Sequence, residues 1–135
     1  MGHTTEISRT IIPVLEQEKT VLFCMLFGSA SSGRMNAESD VDIAIAGIAP
    51  FEAGFLVELQ LKLSKATGRE VDIVDLNRAG GMIRYKIFES GKVLINRDRF
   101  FTERLIKKVI SYSADMMPLV QMILERRAAR FSRGL

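Results

Sequence analysis

Seven residues in the first half of the chain set its architecture: Asp40-Val41-Asp42-Ile43-Ala44-Ile45-Ala46. Side chains of a β-strand point alternately to its two faces, so this alternation predicts a strand. Asp40 and Asp42 fall on one face of that strand, and Val41, Ile43 and Ile45 fall on the other. Two carboxylates therefore project side by side from one strand.

A third carboxylate lies in a later apolar segment, Val71-Asp72-Ile73-Val74-Asp75-Leu76. The pattern predicts another strand over residues 70–76, with Asp72 on the face opposite Val71. Asp75 is the competing candidate, but its odd spacing places it on the other face, and it is interpreted as a cap for the segment that starts at Leu76. Three clustered carboxylates repel one another, and hard divalent cations relieve that repulsion. If the two strands pair, Asp40, Asp42 and Asp72 are predicted to bind metal.

Upstream of these carboxylates lies a candidate phosphate site. The continuous apolar run from Thr20 to Phe27 predicts a strand that is buried on both faces. Gly28 and Ser29 follow directly. Glycine allows the backbone to approach a phosphate closely, and backbone N–H groups at a helix start can bind its oxygens with help from the Ser29 hydroxyl.

The remainder of the chain is mostly helical in pattern. Helices are predicted from Thr4 or Thr5 through Leu15, from Pro50 to near Gly68, from just after Gly80-Gly81 to Glu89, and from Asp98 onward, where Pro118 should bend or split a long helix. A fourth strand is predicted over 92–96. The fold class is therefore α/β: a mixed sheet of about four strands flanked by helices, with a long C-terminal helical segment. We expect one domain over 1–135, with a core at about 5–96 and an extension at about 98–131.

Composition narrows the class of protein. The chain has 135 residues, of which 47% are apolar, which favours one compact domain. Its longest apolar run, Val21 to Phe27, is far shorter than the roughly 20 residues that span a bilayer. The single cysteine, Cys24, and the lack of a secretory signal pattern predict a cytoplasmic protein without a membrane partner. The net charge of +3 suits a phosphate-bearing ligand or an acidic partner, but it is too small to indicate direct nucleic-acid binding.

The order of these motifs resembles a known superfamily. Its residues here are Gly28-Ser29, Gly33, Ser39-Asp40-Val41-Asp42-Ile43-Ala44-Ile45 and Val71-Asp72-Ile73-Val74-Asp75-Leu76. This arrangement resembles the nucleotidyltransferases that include DNA polymerase β. It is most similar to the minimal nucleotidyltransferase (MNT) branch, whose members are antitoxins of HEPN-domain toxins. The likeness spans about residues 5–96.

The resemblance implies a reaction and a set of site residues. Asp40 and Asp42 would bind two Mg²⁺ ions, with Mn²⁺ as the alternative metal, and Asp72 would complete one site and help to activate the attacking hydroxyl. Gly28, Ser29 and Ser39 would bind the nucleotide. The enzyme would transfer AMP from ATP to a tyrosine of a partner HEPN toxin and thereby silence its RNase activity. Homo- and hetero-oligomers both remain open.

The chain departs from the family at one position. Many members carry an arginine just before the glycine at position 33, where this chain has Ser32, and an arginine follows instead as Arg34. A cationic contact to phosphate is therefore lost or displaced. Two alternatives stay open: a small-molecule nucleotidyltransferase similar to aminoglycoside-modifying enzymes, which usually carry an added substrate domain, and a catalytically weak antitoxin that acts by binding its toxin.

Two further regions are candidates for contacts with ligand or partner. Arg84, Tyr85 and Lys86 could contact nucleotide or partner, with a solvated helix surface as the competing interpretation. Met116, Met117 and Met122 predict an adaptable apolar surface that a helical partner could cover. The arginine-rich end, which comprises Arg126, Arg127, Arg130 and Arg133, would either complement a helix dipole or meet an acidic toxin surface.

Overall fold

The computed structural model describes residues 3–28 and 40–134. Ser29, Ser32, Arg34 and Ser39 lie outside the described residues. The described strands are β1 (Phe23–Phe27), β2 (Val41–Ala46), β3 (Val71–Asp75) and β4 (Lys92–Asn96). The helices in the described ranges are α1 (His3–Glu16), α2 (Ala53–Thr67), α3 (Gly81–Ser90), α4 (Arg99–Asp115) and α5 (Met117–Gly134).

The four strands form one mixed sheet in the order β3-β2-β1-β4. β1 is antiparallel to both β2 and β4, whereas β2 and β3 are parallel. The parallel pair is joined by α2, as a parallel connection requires a crossover. The predicted fold class, a mixed sheet of about four strands flanked by helices, is confirmed.

Helices cover both faces of this sheet. One face carries the apolar side chains of β2 at Val41, Ile43 and Ile45, which pack with α1 and α2 in one core cluster. The other face carries Phe23, Met25, Ala44 and Ala46, which form a second cluster with α3 and α4. Since side chains alternate along β2, Asp42 lies on the second face, in line with Ala44 and Ala46.

Element boundaries differ from the sequence prediction where tertiary contacts hold the backbone. α2 begins at Ala53 rather than at Pro50, with Glu52 still extended. The reason lies in β3: the carboxylate of Asp75 accepts a hydrogen bond from the backbone N–H of Phe51 at 2.8 Å and fixes that residue before the helix starts. Gly68 ends α2 at φ 67°, as predicted from the glycine.

The C-terminal helical segment is divided next to Pro118, as predicted. α4 ends at Asp115, and α5 begins at Met117, so Pro118 lies in the first turn of a new helix, where its missing N–H costs least. Met116 occupies the turn between them. In the part of the chain that the structure describes, no helix is long and apolar enough to cross a membrane.

Cys24 is a core residue of β1. Its side chain is fully buried in the cluster that α1 and α2 cover. Burial raises the pKa of the Cys24 thiol to about 12, because a thiolate would lose its hydration there. Cys24 therefore stays protonated near neutral pH and is not a nucleophile.

Candidate active site

The register of the parallel pair aligns two aspartates. Asp42 of β2 is the direct partner of Asp72 of β3, and on its other side Asp42 is opposite Phe27 of β1. In-register partners on neighbouring strands project to the same face. The two carboxylates therefore stand next to each other, on the face that also carries α3 and α4.

Asp40 and Gly28 complete this edge of the sheet. Asp40 immediately precedes β2, and Gly28 immediately follows β1, so both lie at the end of the sheet where Asp42 and Asp72 are found. Asp40 and Asp72 are exposed, whereas Asp42 is half-buried. The site is thus an open edge with one partly desolvated carboxylate between two solvated ones.

The backbone conformation and the close contact with Asp42 require a glycine at position 28. Its φ is +71°, a conformation that side chains rarely adopt, and a Cβ atom built at this position would lie 2.6 Å from Oδ2 of Asp42. The backbone therefore passes directly over the Asp42 carboxylate. A glycine at this position is consistent with the predicted close approach of a phosphate to the backbone.

The three aspartates act on one another electrostatically. Burial raises the pKa of Asp42 above its usual value, and the negative charges of Asp72 and Asp40 raise it further. The ion pairs in the described part of the chain involve other carboxylates, so no described cation neutralises these three. The edge is therefore a concentrated negative charge that favours a cation.

The donor set suits a hard divalent ion, although the side chains do not yet enclose one. Among residues 3–28 and 40–134, no three histidine, cysteine or carboxylate side chains are gathered into a set that could hold a metal as they stand. The backbone register is the stronger guide here, since Asp40 and Asp72 are exposed and a rotamer change is open to both. Carboxylate oxygens alone are the ligands that Mg²⁺ or Mn²⁺ prefers.

Asp75, the competing candidate, has a structural role. It is buried, with its residue only 6% exposed. Its Oδ2 accepts from the N–H of Phe51, its Oδ1 accepts from the N–H of Asn77 at 2.9 Å, and Nε of Arg78 lies 3.7 Å from Oδ2. Asp75 thus caps the turn after β3, as predicted, and ties it to the start of α2.

We expect Asp75→Ala to lower the free energy of unfolding by about 3 kcal/mol, because it leaves two backbone N–H groups without their acceptors. The melting temperature should fall by about 10 °C. Arg78→Ala is the control, because it leaves both carboxylate acceptors in place. It removes the ion pair and the hydrogen bond that Nη2 of Arg78 donates to the carbonyl oxygen of Phe51 at 3.1 Å, and Arg78 is mostly exposed, so it should cost about 1 kcal/mol. Equal losses in thermal denaturation would contradict the assignment to the backbone hydrogen bonds.

The three candidates on α3, Arg84, Tyr85 and Lys86, have no described hydrogen bond or ion pair with the three aspartates. The Tyr85 hydroxyl donates to Glu89, which raises the pKa of Tyr85, and Lys86 is exposed. Arg84 is half-buried, and within the described residues nothing accepts a hydrogen bond from its buried Nε. Among the described groups, no cation of α3 shifts the pKa of Asp42. No sequence pattern indicates the unpartnered Nε of Arg84, because its burial depends on packing in the folded chain.

The described cavities lie elsewhere. A cavity of about 490 Å³ is lined by Leu22, Phe51 and Phe55 with the loop after β2, and a smaller one of about 180 Å³ is lined by Ile48, Phe101 and Arg104. Both contain residues that follow the C-terminal end of β2, whereas Asp40 and Asp42 lie at its N-terminal end. Cavity volume alone would therefore not have identified the acidic edge as the candidate site.

The mixed sheet, the Asp-x-Asp motif at β2, the aligned Asp72 on β3 and Gly28 over the Asp42 carboxylate agree with the nucleotidyltransferase pattern that the sequence resembles. Residues 9–100 match the family of polymerase β nucleotidyltransferases. This match covers more than half of the chain, and the chain belongs to that family. The predicted superfamily and fold are confirmed, and so is the coarse enzyme class, nucleotidyltransferase.

Several relatives extend the comparison. The protein adenylyltransferase MntA of Shewanella oneidensis is 30% identical over 112 residues, which cover 81% of this chain and 81% of the relative. A crystal structure of a toxin–antitoxin with AMP-PNP has a TM-score of 0.77 and 28% identity, and the match covers 90% of this chain and 98% of that one. A complex of tri-AMPylated Shewanella oneidensis HEPN toxin with MNT antitoxin has a TM-score of 0.73 and 25% identity, with 93% and 99% covered.

Proposed function

We propose that this chain is an antitoxin enzyme that transfers AMP from ATP to a tyrosine hydroxyl of a partner HEPN toxin. The observation that carries the proposal is the in-register pair of Asp42 and Asp72, with Asp40 close enough to raise the pKa of Asp42. A relative named as a protein adenylyltransferase and a similar complex that contains an AMPylated HEPN toxin support this acceptor.

Asp40 and Asp42 would hold two divalent ions, Mg²⁺ or Mn²⁺, and Asp72 would complete one of the two sites. When bound, such ions supply Lewis-acid stabilisation of phosphate charge and lower the pKa of the attacking hydroxyl. All the proposed ligand atoms are oxygens, which suits these ions. Among the described residues, no ion pair already places a cation beside the three carboxylates. Ser29 and Ser39, which lie outside the described residues, are proposed to bind the nucleotide together with Gly28.

The chain's own groups then position the reaction. Gly28 lets the triphosphate approach the backbone, which a side chain over Asp42 would obstruct. Asp72 would accept the proton of the tyrosine hydroxyl, whose oxygen attacks the α-phosphorus. The bond from that oxygen to phosphorus forms as the bond to the β-phosphate bridge breaks, and pyrophosphate leaves. Correct orientation of the hydroxyl supplies much of the rate.

The test uses the full chain, radiolabelled ATP, Mg²⁺ and the product of the neighbouring gene, which we expect to be a HEPN-type protein. We expect the label to appear on that protein, and Asp72→Asn to lower the rate by about 100-fold or more, as expected for loss of a general base that also binds metal. Glu58→Gln is the control: it removes an exposed carboxylate from α2, which covers the other face of the sheet. Its rate should stay within about twofold of wild type.

The outcomes separate the enzyme from the two alternatives. Neutralisation of the toxin without any label on it would show the binding antitoxin and contradict the proposal. Label on a small hydroxyl compound but not on the HEPN-type protein would show the small-molecule enzyme. Treatment with EDTA should abolish labelling and excess Mg²⁺ should restore it, because the carboxylates need a cation to hold the triphosphate.

A further inference from the structure

The described side chains of the last helix, α5, contribute to neither apolar core. α4 places Leu105 in the second core cluster and buries Val109, whereas no described side chain of α5 belongs to either cluster. α5 contacts α4, which precedes it across the turn at Met116. A helix of 18 residues is only marginally stable in water unless an apolar face of it is covered.

The two C-terminal helices expose large apolar side chains. Phe100, at the start of α4, and Leu124 are among them. Six others are between 38% and 59% exposed and form what we term the C-terminal apolar face: Ile106, Ile110, Met116, Leu119, Met122 and Ile123. The three on α5 follow the spacing of one helical stripe, since Leu119 precedes Met122 by three residues and Ile123 by four. Met116 and Met122 were predicted to be part of such a surface, whereas the side chain of Met117 lies outside the described residues. Patches of this kind mark interaction sites.

The positive charge of the chain is concentrated in the C-terminal segment that carries this face. Residues 99–135 carry eight basic and three acidic residues, a net charge of +5, whereas residues 1–98 carry eleven basic and thirteen acidic residues, a net charge of −2. Arg126 is exposed and continues the α5 stripe, three residues after Ile123. The face is therefore apolar and belongs to a segment whose net charge is positive.

The apolar side chains and the positive charge together favour one kind of binding partner over the others. A second copy of the chain would oppose one strongly basic helical segment to another, which like charges disfavour. A single-stranded nucleic acid would use aromatic side chains for stacking. The six side chains of the C-terminal apolar face are aliphatic or methionine, and the exposed Phe100 lies at the opposite end of α4 from Met116. A protein surface with apolar side chains bordered by aspartate and glutamate satisfies both features.

We propose that the C-terminal apolar face docks an apolar, acid-bordered helical surface of the protein that accepts AMP. The proposal rests on the proposed function, because an enzyme that modifies a protein hydroxyl must hold that protein against its active edge. Docking through α4 and α5 leaves Asp40, Asp42 and Asp72 available for chemistry, since none of these residues belongs to either helix. The arginine-rich end is then assigned to partner contact, which was one of the two interpretations left open by the sequence.

The test compares two neighbouring residues of α5. Ile123→Glu places a charge in the stripe, and Leu124→Glu places the same charge on another side of the helix, where Leu124 is 54% exposed. Both variants should fold, because neither residue is buried and glutamate favours helix. By calorimetry without ATP, we expect Ile123→Glu to weaken binding of the adjacent HEPN-type protein at least about tenfold, and Leu124→Glu to change it less than about threefold.

Binding is measured without nucleotide, so the docking proposal and the proposed function can fail separately. A wild-type chain that binds the HEPN-type protein but never labels it would refute the transfer reaction, while the two variants would still decide on the docking face. Equal affinities of Ile123→Glu and Leu124→Glu, or no binding by wild type, would overturn the docking proposal. So would a concentration-dependent dimer that Ile123→Glu abolishes, or RNA binding that Arg126→Glu abolishes and Ile123→Glu leaves intact.

Discussion

Asp42→Asn is expected to lower the rate of AMP transfer by about 1,000-fold or more while it raises the melting temperature of the metal-free protein. Asp42 occupies the centre of the acidic edge, between Asp72 on the next strand and Asp40 two residues earlier, and it is the carboxylate closest to the Gly28 backbone. Loss of a metal ligand removes several kcal/mol of charge stabilisation from the transition state, and each 1.36 kcal/mol is worth about tenfold in rate.

The gain in stability follows from the direction of the pKa shift. Burial and the charges of Asp72 and Asp40 raise the folded-state pKa of Asp42 above its unfolded value. The neutral acid is therefore favoured in the folded chain, and the stability that it provides is present below the unfolded pKa and is lost as the pH rises through the folded pKa. An asparagine avoids this loss. Since Asp42 is only half-buried and water screens it, the increase at pH 7 should be small, about 2 °C.

Three comparisons check this expectation by calorimetry or circular dichroism. The gain from Asp42→Asn should disappear as the pH falls to about 4, near the ordinary pKa of aspartate. Mg²⁺ should stabilise the wild type more than the variant, because ligand binding stabilises the state that binds it. Glu58→Gln removes the same charge on the other side of the sheet and should give no gain. A fall in melting temperature for Asp42→Asn at pH 7 would contradict the electrostatic account.

Gly28→Ala is expected to impair both stability and transfer. The φ of +71° costs an alanine about 1 kcal/mol, and the new methyl group would meet Oδ2 of Asp42 at 2.6 Å, so either the backbone or the carboxylate must move. We expect a loss of about 2 kcal/mol in the free energy of unfolding. Transfer should fall by about 100-fold, because displacement of a reacting geometry by about 1 Å has effects of that size.

Gly68→Ala is a matched control for this substitution. Gly68 has nearly the same φ, +67°, but a Cβ atom there would meet nothing within 4 Å, and the residue ends α2 rather than β1. The two variants thus share the backbone strain and differ in the contact with Asp42. Gly68→Ala should cost about 1 kcal/mol and leave transfer unchanged. If both substitutions lowered the rate of transfer equally, global destabilisation rather than the contact with Asp42 would explain the effect.

Local patterns were enough to predict most elements of the fold. The period of two over 40–46 placed Asp42 opposite Val41 and Ile43, and the structure shows those two apolar residues buried on the α1 and α2 side. β4 was predicted with its observed bounds, and the break beside Pro118 followed from the chemistry of proline. These features depend on residues close in sequence, whose side chains and backbone dihedrals are coupled directly.

The alignment of the site was decided by the tertiary structure. Sequence could say that Asp42 and Asp72 each lie on a strand, but the parallel register that makes them partners depends on packing between segments that are 30 residues apart. The same holds for Asp75, whose carboxylate binds the backbone of Phe51 before α2 starts, and for α5, whose described apolar side chains belong to neither core. The hydrophobic periodicity of a segment determines which face of the strand or helix a side chain occupies. Only the packing of the whole core determines which residue of another element lies beside it.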